Sequence, residues 1–300
     1  MIEIKKYGAI DIGSNAVRLL ISSVTTMDGK NPRFKKTSLV RVPIRLGSDV
    51  FVTNKVSNKN LERLITAMQS YQLLMKTHNV VNYRACATSA MRDAKNGEEI
   101  VEKIKEASGI NIEIIDGKDE AAMISMTDLS ELTNSHKAFL YVDVGGGSTE
   151  FTVYHAGKVQ ASKSFKLGTV RLLNDLVTED LWSEVRRWIK KKTKKYDNIS
   201  LIGSGGNINN IFKNSGKVAG KSLSYMYLTS YYQLLKSLTY DERVWELNLN
   251  HDRADVIVPA TKIFLSAMKW SKAQKVYVPK IGLTDGIIKS LYNENVSKKV

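Results

Sequence analysis

Short apolar runs alternate along the chain with longer stretches in which apolar residues recur at helical spacing. The short runs predict strands at Tyr7–Ile10, Val17–Val24, Tyr83–Ala87, Ile112–Ile115, Phe139–Val142, Phe151–Tyr154, Leu201–Gly203 and Val276–Val278. The longer stretches predict helices at Asn60–His78, Gly97–Ser108, Lys118–Leu132, Val170–Leu176, Thr178–Tyr196, Asn207–Lys213, Thr229–Leu238 and Arg253–Trp270. Asn58 or Asn60 is the predicted N-cap of the first helix. This alternation predicts an α/β fold.

One segment of the chain is repeated half a chain later. YGAIDIGSNAVRLLI at Tyr7–Ile21 matches YVDVGGGSTEFTVY at Tyr141–Tyr154, and both contain an apolar strand, an Asp, a glycine loop and a second strand. The two aspartates, Asp11 and Asp143, are 132 positions apart. Two such hairpins at this offset predict duplicated halves that face each other across a cleft.

The two hairpin loops have the composition of anion-binding loops. Glycine permits positive φ angles and close approach of backbone N–H groups to a ligand, and successive N–H groups form an anion-binding nest. Asn15, Ser148 and Thr149 add side-chain donors, and Asp11 and Asp143 can hold a divalent cation. Because strands follow both loops, neither is a Rossmann motif or a P-loop, which continue into a helix.

The alternative for each loop is a turn in which glycine serves the backbone geometry alone. A third glycine cluster, IGSGGNINNIF at Ile202–Phe212, follows a strand and opens a predicted helix, where backbone amides favour an anion. By itself this third cluster is a weak signal, since many strand–helix turns are rich in glycine.

The net charge of +15, from 45 basic and 30 acidic side chains, attracts polyanions. Basic residues concentrate at positions 30–55, 186–195 and 262–300, where solvated lysine faces are the alternative reading. No nucleic-acid-binding motif is present, so we expect no specific nucleic-acid partner. The lone cysteine, Cys86, in an apolar stretch, predicts a core residue and excludes a disulfide scaffold. No apolar run is long enough for a membrane helix and no signal peptide is evident, so we expect a cytoplasmic protein without membrane contact.

Nine motifs in order carry a resemblance to a known family. They are AIDIGSNAVRLLI (Ala9–Ile21), IRLGSDVF (Ile44–Phe51), ATSAMRDAKNGEE (Ala87–Glu99), IIDGKDEAAMI (Ile114–Ile124), VDVGGGSTEF (Val142–Phe151), SFKLGTVRL (Ser164–Leu172), IGSGGNINNI (Ile202–Ile211), RADVIVPA (Arg253–Ala260) and GLTDGII (Gly282–Ile288). Together they span nearly the whole chain and are highly specific. The chain resembles the exopolyphosphatase/guanosine pentaphosphate phosphatase (Ppx/GppA) family.

The resemblance implies a two-lobed actin/hexokinase/Hsp70-like (ribonuclease H-like) α/β fold, each lobe a mixed sheet flanked by helices. We expect an N-terminal lobe over residues 1–129, a C-terminal lobe over residues 130–286, and a final helix near 287–300 that packs back on the first lobe. Longer family members carry a further helical region for which this chain has no room. That difference predicts a preference for short polyphosphate chains.

The resemblance also assigns roles to individual residues. Glu120 is the implied general base, and its choice over the neighbouring Asp119 rests on the resemblance alone. Glu150 helps to hold the water or the metal, and Arg92 clamps the phosphoryl group. Arg45 is a second clamp candidate, although an ion pair with an acid such as Asp143 is equally open. Asp143, and less securely Asp11, hold Mg²⁺. The implied substrate donors are Gly13, Ser14, Asn15, Gly145, Gly146, Gly147, Ser148 and Gly205.

These roles imply a hydrolase that releases orthophosphate from inorganic polyphosphate or from guanosine pentaphosphate, between which the sequence does not choose. A small-molecule kinase of the same fold and a non-catalytic polyphosphate or nucleotide sensor stay open as alternatives. One departure bears on them: Thr284 replaces the arginine common at this place in the family's final motif, so substrate preference or activity can differ. A homodimer is possible, and no feature of the sequence shows an interface.

Overall fold

The computed structural model describes residues 1–127 and 137–297. Residues 1–127 together with the chain from Leu283 form an N-terminal unit, and the described residues up to Gly282 form a C-terminal unit. The predicted boundary at residues 129–130 lies outside the described residues. The predicted return to the first unit at residue 287 begins four residues earlier, at Leu283.

The N-terminal unit is built around one sheet with helices packed on it. Its strands are β1 (Ile2–Ile12), β2 (Val17–Met27), β3 (Lys30–Val42), β4 (Val80–Ala87) and β5 (Ile112–Ile114). Its helices up to residue 127 are α1 (Leu46–Thr53), α2 (Asn58–Thr77), α3 (Ser89–Asp93), α4 (Gly97–Ser108) and α5 (Gly117–Ser125). Within the described residues the strand order is β3-β2-β1-β4-β5. Strand β2 pairs antiparallel with both β1 and β3, and β4 pairs parallel with both β1 and β5.

Strand β3 is absent from the sequence prediction. It forms the sheet edge, most of its side chains are exposed, and four of them between Lys30 and Lys36 are basic. Because neither face of its first half is buried, the strand lacks the apolar alternation from which strands are predicted. Charged side chains on an exposed edge also discourage pairing with the strands of other molecules.

The first long helix starts earlier than predicted. The N-cap of α2 is Ser57, whose side chain accepts a hydrogen bond from the Asn60 backbone N–H, so the predicted caps Asn58 and Asn60 both lie inside the helix. Asn60 is buried and its side-chain amide donates to Asp49 at 2.7 Å. Because the buried side-chain amide of Asn60 is bonded to Asp49, it does not cap the helix.

The C-terminal unit repeats the plan with a second mixed sheet. Its strands are β6 (Ala138–Val144), β7 (Thr149–His155), β8 (Lys158–Phe165), β9 (Ile199–Ser204), β10 (Ser222–Ser224) and β11 (Lys275–Tyr277). Its described helices are α6 (Thr169–Leu173), α7 (Glu179–Thr193), α8 (Gly206–Asn214), α9 (Tyr225–Ser237), α10 (Tyr240–Trp245), α11 (His251–Ala254) and α12 (Ile257–Ser271). In this part of the structure the strand order is β10-β11-β9-β6-β7-β8. Two mixed sheets flanked by helices confirm the predicted fold class.

The final helix, α13 (Leu283–Ser297), belongs to the N-terminal unit and contacts β1, β2, β4 and α5. Arg84 on β4 donates to Glu294 on this helix at 3.0 Å and also pairs with Glu113 on β5. Near the start of α13, Lys36 of β3 pairs with Asp285 at 2.8 Å. Gly286 approaches α5 so closely that an added Cβ would lie 2.0 Å from the carbonyl oxygen of Met123.

The largest differences between predicted and observed helices occur at two places. The helix predicted over Lys118–Leu132 is observed as α5, which ends at Ser125, and residues 128–132 lie outside the described residues. The helix predicted over Arg253–Trp270 is two helices, α11 and α12, with a break after Ala254. No helix among the described residues is long and apolar enough to cross a bilayer.

We predict that Arg84→Ala lowers the free energy of unfolding by about 1–3 kcal/mol, because charge-assisted hydrogen bonds of a half-buried guanidinium are lost. The control is Lys103→Ala, which removes an exposed ion pair with Glu99 and should cost much less. Urea unfolding followed by circular dichroism compares the two variants. Equal losses would show that Arg84 does not hold α13 in place.

Candidate functional site

The two glycine hairpins close in the same way. In the first, the Gly13 N–H donates to the Ala16 carbonyl at 3.2 Å, and in the second the Gly145 N–H donates to the Ser148 carbonyl at 2.9 Å. Donor and acceptor in the second hairpin are each 132 positions after their counterparts in the first. The sequence repeat is therefore also a repeat of backbone geometry.

A helix start holds the carbonyl groups of the first loop. The Ser14 carbonyl accepts from the Gly47 N–H at 2.7 Å, and the Asn15 carbonyl accepts from the Arg45 N–H at 3.0 Å. Arg45 adopts a left-handed backbone conformation, with φ 64°, at the N-cap of α1. The residue proposed as a clamp is thus also the residue whose backbone anchors this loop.

Helix α6 does the same for the second loop. The Gly145 and Gly146 carbonyls accept from the Thr169 and Val170 N–H groups at 3.0 and 2.8 Å. The Gly147 carbonyl accepts from the Arg171 side chain at 2.9 Å. Three consecutive carbonyl groups are bonded in this way, which fixes the orientation of the peptide groups in the loop.

A glycine packs against each loop. An added Cβ on Gly47 would lie 3.1 Å from the Cβ of Ser14, and on Gly168 it would lie 2.2 Å from the carbonyl oxygen of Gly146. Ser14 and Gly146 are again 132 positions apart. Both packing glycines follow a leucine, in the motifs RLGS and KLGT, so the repeated Leu-Gly pair is a sequence signal that the hairpin analysis missed.

The predicted positive φ angles of the hairpin glycines are wrong. None of Gly13, Gly145, Gly146 and Gly147 has a positive φ angle. Gly13 and Gly145 are needed for close approach instead, because an added Cβ would lie 3.3 and 3.1 Å from the carbonyl oxygen three residues later.

The backbone N–H groups of the second loop are available to a ligand. Within residues 1–127 and 137–297, no acceptor is bonded to the N–H groups of Gly146, Gly147 and Ser148. Successive N–H groups without a protein acceptor form a concave donor set that suits phosphate oxygens. This donor set is the feature of the C-terminal unit best suited to an anion.

The strand position opposite each aspartate differs between the hairpins. Asp11 lies across from Arg18 in the β1–β2 register, and the two side chains form an ion pair at 2.9 Å. Asp143 lies across from Glu150 in the β6–β7 register. Opposed residues on neighbouring strands have Cβ atoms about 5 Å apart, so like charges there repel each other and a cation bound between them would be favoured.

Asp11 is therefore less suited to a cation than Asp143. Its carboxyl is buried, which raises its pKa, while the Arg18 guanidinium opposes that rise and already neutralises its charge. Asp143 is half-buried, and one of its oxygens would lie 3.4 Å from a Cβ added to Gly205. Gly205 has a φ of 106°, which favours glycine, and lies against the end of β6.

Glu150 is almost fully buried, with 2% of its surface exposed. Its Oε1 accepts hydrogen bonds from the Ser148 and Ser164 hydroxyls at 2.7 and 2.8 Å. The Ser148 hydroxyl hydrogen is engaged there, so Ser148 offers its backbone N–H to a ligand. Thr149, predicted as a further donor, is fully buried, and its hydroxyl donates to the Leu167 carbonyl. Its role is to tie the Leu-Gly pair to the hairpin.

In the N-terminal unit, Arg92 and Glu120 follow adjacent parallel strands. The Thr88 N–H, before α3, donates to the Ile12 carbonyl, and the Ile115 N–H donates to the Ala87 carbonyl. The carboxyl ends of the parallel strands β1, β4 and β5 therefore lie side by side at one end of the sheet. Arg92 on α3 donates to the Ile115 carbonyl at 2.7 Å. Ligands of open α/β sheets bind at the carboxyl ends of parallel strands.

Glu120 lies in the first turn of α5. The N-cap Asp116 accepts from the Lys118 and Asp119 N–H groups, and these bonds lower its pKa. Glu120 is half-buried and its Oε2 is shielded from solvent, whereas Asp119 is exposed. Burial distinguishes the two acids where the sequence could not.

Four other residues singled out by the sequence analysis are buried or half-buried. Cys86 is fully buried, and burial raises its pKa to about 12, which fits a core residue. Thr284 lies in the first turn of α13 and is 8% exposed. Ser14 is buried, and Asn15 is half-buried with its Oδ1 shielded from solvent.

No group of three or more His, Cys, Asp and Glu side chains suited to a metal ion occurs among the described residues. The pair Asp143 and Glu150 offers carboxylate oxygens, and Mg²⁺ commonly takes one or two carboxylates and keeps several water ligands. The residues of the C-terminal unit therefore fit Mg²⁺ by charge and by donor type.

We predict that Gly168→Ala lowers the thermal unfolding midpoint and weakens binding of orthophosphate, because the added methyl group displaces the 145–148 loop. The control is Gly282→Ala, whose Cβ would meet its nearest atom, the Ser204 Oγ, at an ordinary 3.6 Å. Differential scanning fluorimetry and calorimetric titration measure both effects. Unchanged phosphate binding in Gly168→Ala would contradict the anchoring role of the glycine.

Comparison with known proteins matches this chain to one family. The model of the Ppx/GppA phosphatase family matches residues 28–295. The chain is 31% identical over 215 residues to the bifunctional 3-dehydroquinate synthase/phosphatase of Fusobacterium nucleatum, which covers 66% of this chain and 32% of that protein. Exopolyphosphatase 2 of Mycobacterium tuberculosis is 32% identical over 180 residues, covering 58% of this chain and 56% of that protein. The chain thus spans between a third and rather more than half of these curated relatives.

A solved structure covers the chain more completely. The crystal structure of the Aquifex aeolicus member of the Ppx/GppA protein family has a TM-score of 0.75 and 27% sequence identity, over 98% of this chain and 99% of that one. The family resemblance of the sequence motifs is confirmed by these matches. The chain belongs to the Ppx/GppA phosphatase family.

Proposed function

We propose that this protein is a phosphoanhydride hydrolase that releases orthophosphate from the end of inorganic polyphosphate. The observation that carries the proposal is the 145–148 loop. The carbonyls of residues 145–147 accept hydrogen bonds from α6, and the N–H groups of residues 146–148 have no acceptor among the described residues. Family membership and a relative named exopolyphosphatase support the same chemistry.

In the proposed reaction, a water oxygen attacks the terminal phosphorus atom and the bond from that phosphorus to the bridging oxygen breaks. The products are orthophosphate and a chain shortened by one unit. Glu120 accepts a proton from the attacking water, a role supported by its half-buried position in the first turn of α5, just after β5. General-base assistance of this kind contributes about 10²–10⁴ in rate.

Arg92 neutralises negative charge on the transferred phosphoryl group. Its bond to the Ile115 carbonyl fixes one end of the guanidinium close to the start of α5. A planar guanidinium can bind two phosphate oxygens at once, and one that is held in place loses less entropy on binding. Arg45 is proposed as a second cation for the substrate, from the N-cap of α1.

Glu150 is proposed as a positioning residue. Two serine hydroxyls fix its carboxylate, and its negative charge opposite Asp143 favours a divalent cation at the end of β6. Asp143, with Glu150 near it, would hold Mg²⁺, which when bound neutralises charge on the phosphate oxygens. Asp11 is a weaker candidate because Arg18 already neutralises it.

Guanosine pentaphosphate is the other proposed substrate, and its terminal phosphate presents the same anhydride. Release of orthophosphate in the presence of Mg²⁺ is measured in four reactions. They contain polyphosphate, guanosine pentaphosphate, ATP with a sugar acceptor, or buffer alone. We expect release from polyphosphate. Phosphate transfer from ATP to the acceptor would identify a kinase instead, and binding of polyphosphate without release would identify a sensor.

We predict that Glu120→Gln lowers kcat for polyphosphate by about 10²–10⁴ while the unfolding midpoint is unchanged. The matched control is Asp119→Asn, which removes the exposed carboxylate of the preceding residue and should leave kcat within about twofold of wild type. Equal kcat values in Glu120→Gln and wild type would eliminate Glu120 as the base. A larger loss in Asp119→Asn would transfer the role to Asp119.

We predict different effects of removing the two strand-end aspartates. With Asp143→Asn, half-saturation of activity by Mg²⁺ should need on the order of tenfold more metal, because one of the two carboxylates at this register position is lost. Asp11→Asn breaks the ion pair with Arg18 and should lower the unfolding midpoint. Thermal unfolding and Mg²⁺ titration of activity test both. A larger Mg²⁺ effect in Asp11→Asn would reverse the assignment.

A further inference from the structure

The second half of helix α7 and the residues just after it form a strongly basic surface. It consists of seven side chains, which we call the α7 basic segment: Arg186, Arg187, Lys190, Lys191, Lys192, Lys194 and Lys195. All seven are exposed, and residues 186–195 contain no acid. The α7 basic segment is therefore a dense cluster of positive charge within the C-terminal unit.

The charge of the segment is not neutralised by neighbouring acids. Within the described residues, none of the seven side chains has a carboxylate oxygen within 4.0 Å. The acids of α7 lie before the segment, and the last of them, Glu184, pairs with Lys163 of β8 at 2.7 Å. The segment therefore keeps its full charge for a partner outside the described chain.

This arrangement works against the stability of the helix. Arg186 and Lys190, and Arg187 and Lys191, are like charges one helical turn apart, and such pairs destabilise a helix. The helix is held instead by its buried face, where Trp182, Val185 and Ile189 pack in the core. Favourable contact of the last-turn lysines with the helix dipole opposes this repulsion. Binding of a polyanion would relieve it.

The sheet topology places the segment at the end of the unit opposite the glycine loop. Five residues separate the end of α7, at Thr193, from the start of β9, at Ile199. Strand β9 runs parallel to its neighbour β6, so the start of β9 and the end of β6 lie at opposite ends of the sheet along the strand direction. Seven residues of β6 span roughly 20 Å. A ligand that reaches both the 145–148 loop and the basic segment must be an extended chain.

We propose that the α7 basic segment binds the distal part of an inorganic polyphosphate chain whose end is hydrolysed by this protein. The proposal rests on the proposed function and extends it, because it gives longer chains a second attachment and so revises the sequence-based expectation of short chains. A single-stranded nucleic acid is disfavoured, because the aromatic side chains within and next to the segment, Trp188 and Tyr196, pack against Phe151, Phe165 and His155.

The variant Lys190→Gln/Lys191→Gln/Lys194→Gln tests the proposal. Glutamine keeps helix propensity and exposure while removing three charges. We expect on the order of tenfold weaker binding of long-chain polyphosphate and a shallower dependence of that affinity on salt. We also expect an unchanged KM for tripolyphosphate, which is too short to reach the segment. Fluorescence anisotropy of end-labelled long-chain polyphosphate measures binding without any need for turnover.

The matched control is Lys59→Gln/Lys76→Gln/Lys105→Gln, which removes three exposed helix lysines of the N-terminal unit and changes the net charge equally. Equal binding of long-chain polyphosphate by the two triple variants would overturn the proposal, because only net charge would then matter. So would a selective loss of duplex DNA binding with polyphosphate binding intact. Absence of hydrolysis in every protein would refute the proposed function, and the anisotropy comparison would still decide the role of the segment.

Discussion

Anchoring of backbone carbonyl groups by a following helix start is the interaction on which the site depends. Gly47 and Val170 donate their N–H groups to the carbonyls of Ser14 and Gly146, two residues at equivalent places in the duplicated hairpins. Once the carbonyls are bonded, the peptide planes cannot rotate, and the N–H groups of the 145–148 loop remain oriented without a ligand. Anion binding then costs little ordering of the backbone.

Duplication supplied two similar hairpins, and one register position made them different. Arg18 neutralises the first aspartate, while Glu150 places a second negative charge beside the other aspartate. The first hairpin therefore carries a neutral ion pair, whereas the second places two acidic residues opposite each other. A single pair of opposed strand residues thus gives two otherwise similar loops a different charge.

Apolar periodicity and glycine positions predicted the elements whose structure depends on nearby residues. The two hairpins, the strands that carry them and the helix Gly97–Ser108 follow from apolar periodicity and glycine positions. Strand β3 could not be predicted because its side chains are mostly exposed, and the roles of Thr149 and Gly168 depend on contacts about twenty residues away in sequence. Glu120 and Asp119 differ in burial, which only the packed helix α5 reveals.

The position of α13 has a consequence for synthesis on the ribosome. The helix that covers β1, β2 and β4 is encoded after the entire C-terminal unit. Arg84 can therefore pair with Glu294, 210 residues downstream, only after that unit has been translated. The C-terminal unit is continuous in sequence, so its core forms from one uninterrupted segment. The N-terminal sheet, although translated first, keeps an apolar face uncovered until α13 has been made, and its folding therefore depends on a segment that follows the whole C-terminal unit.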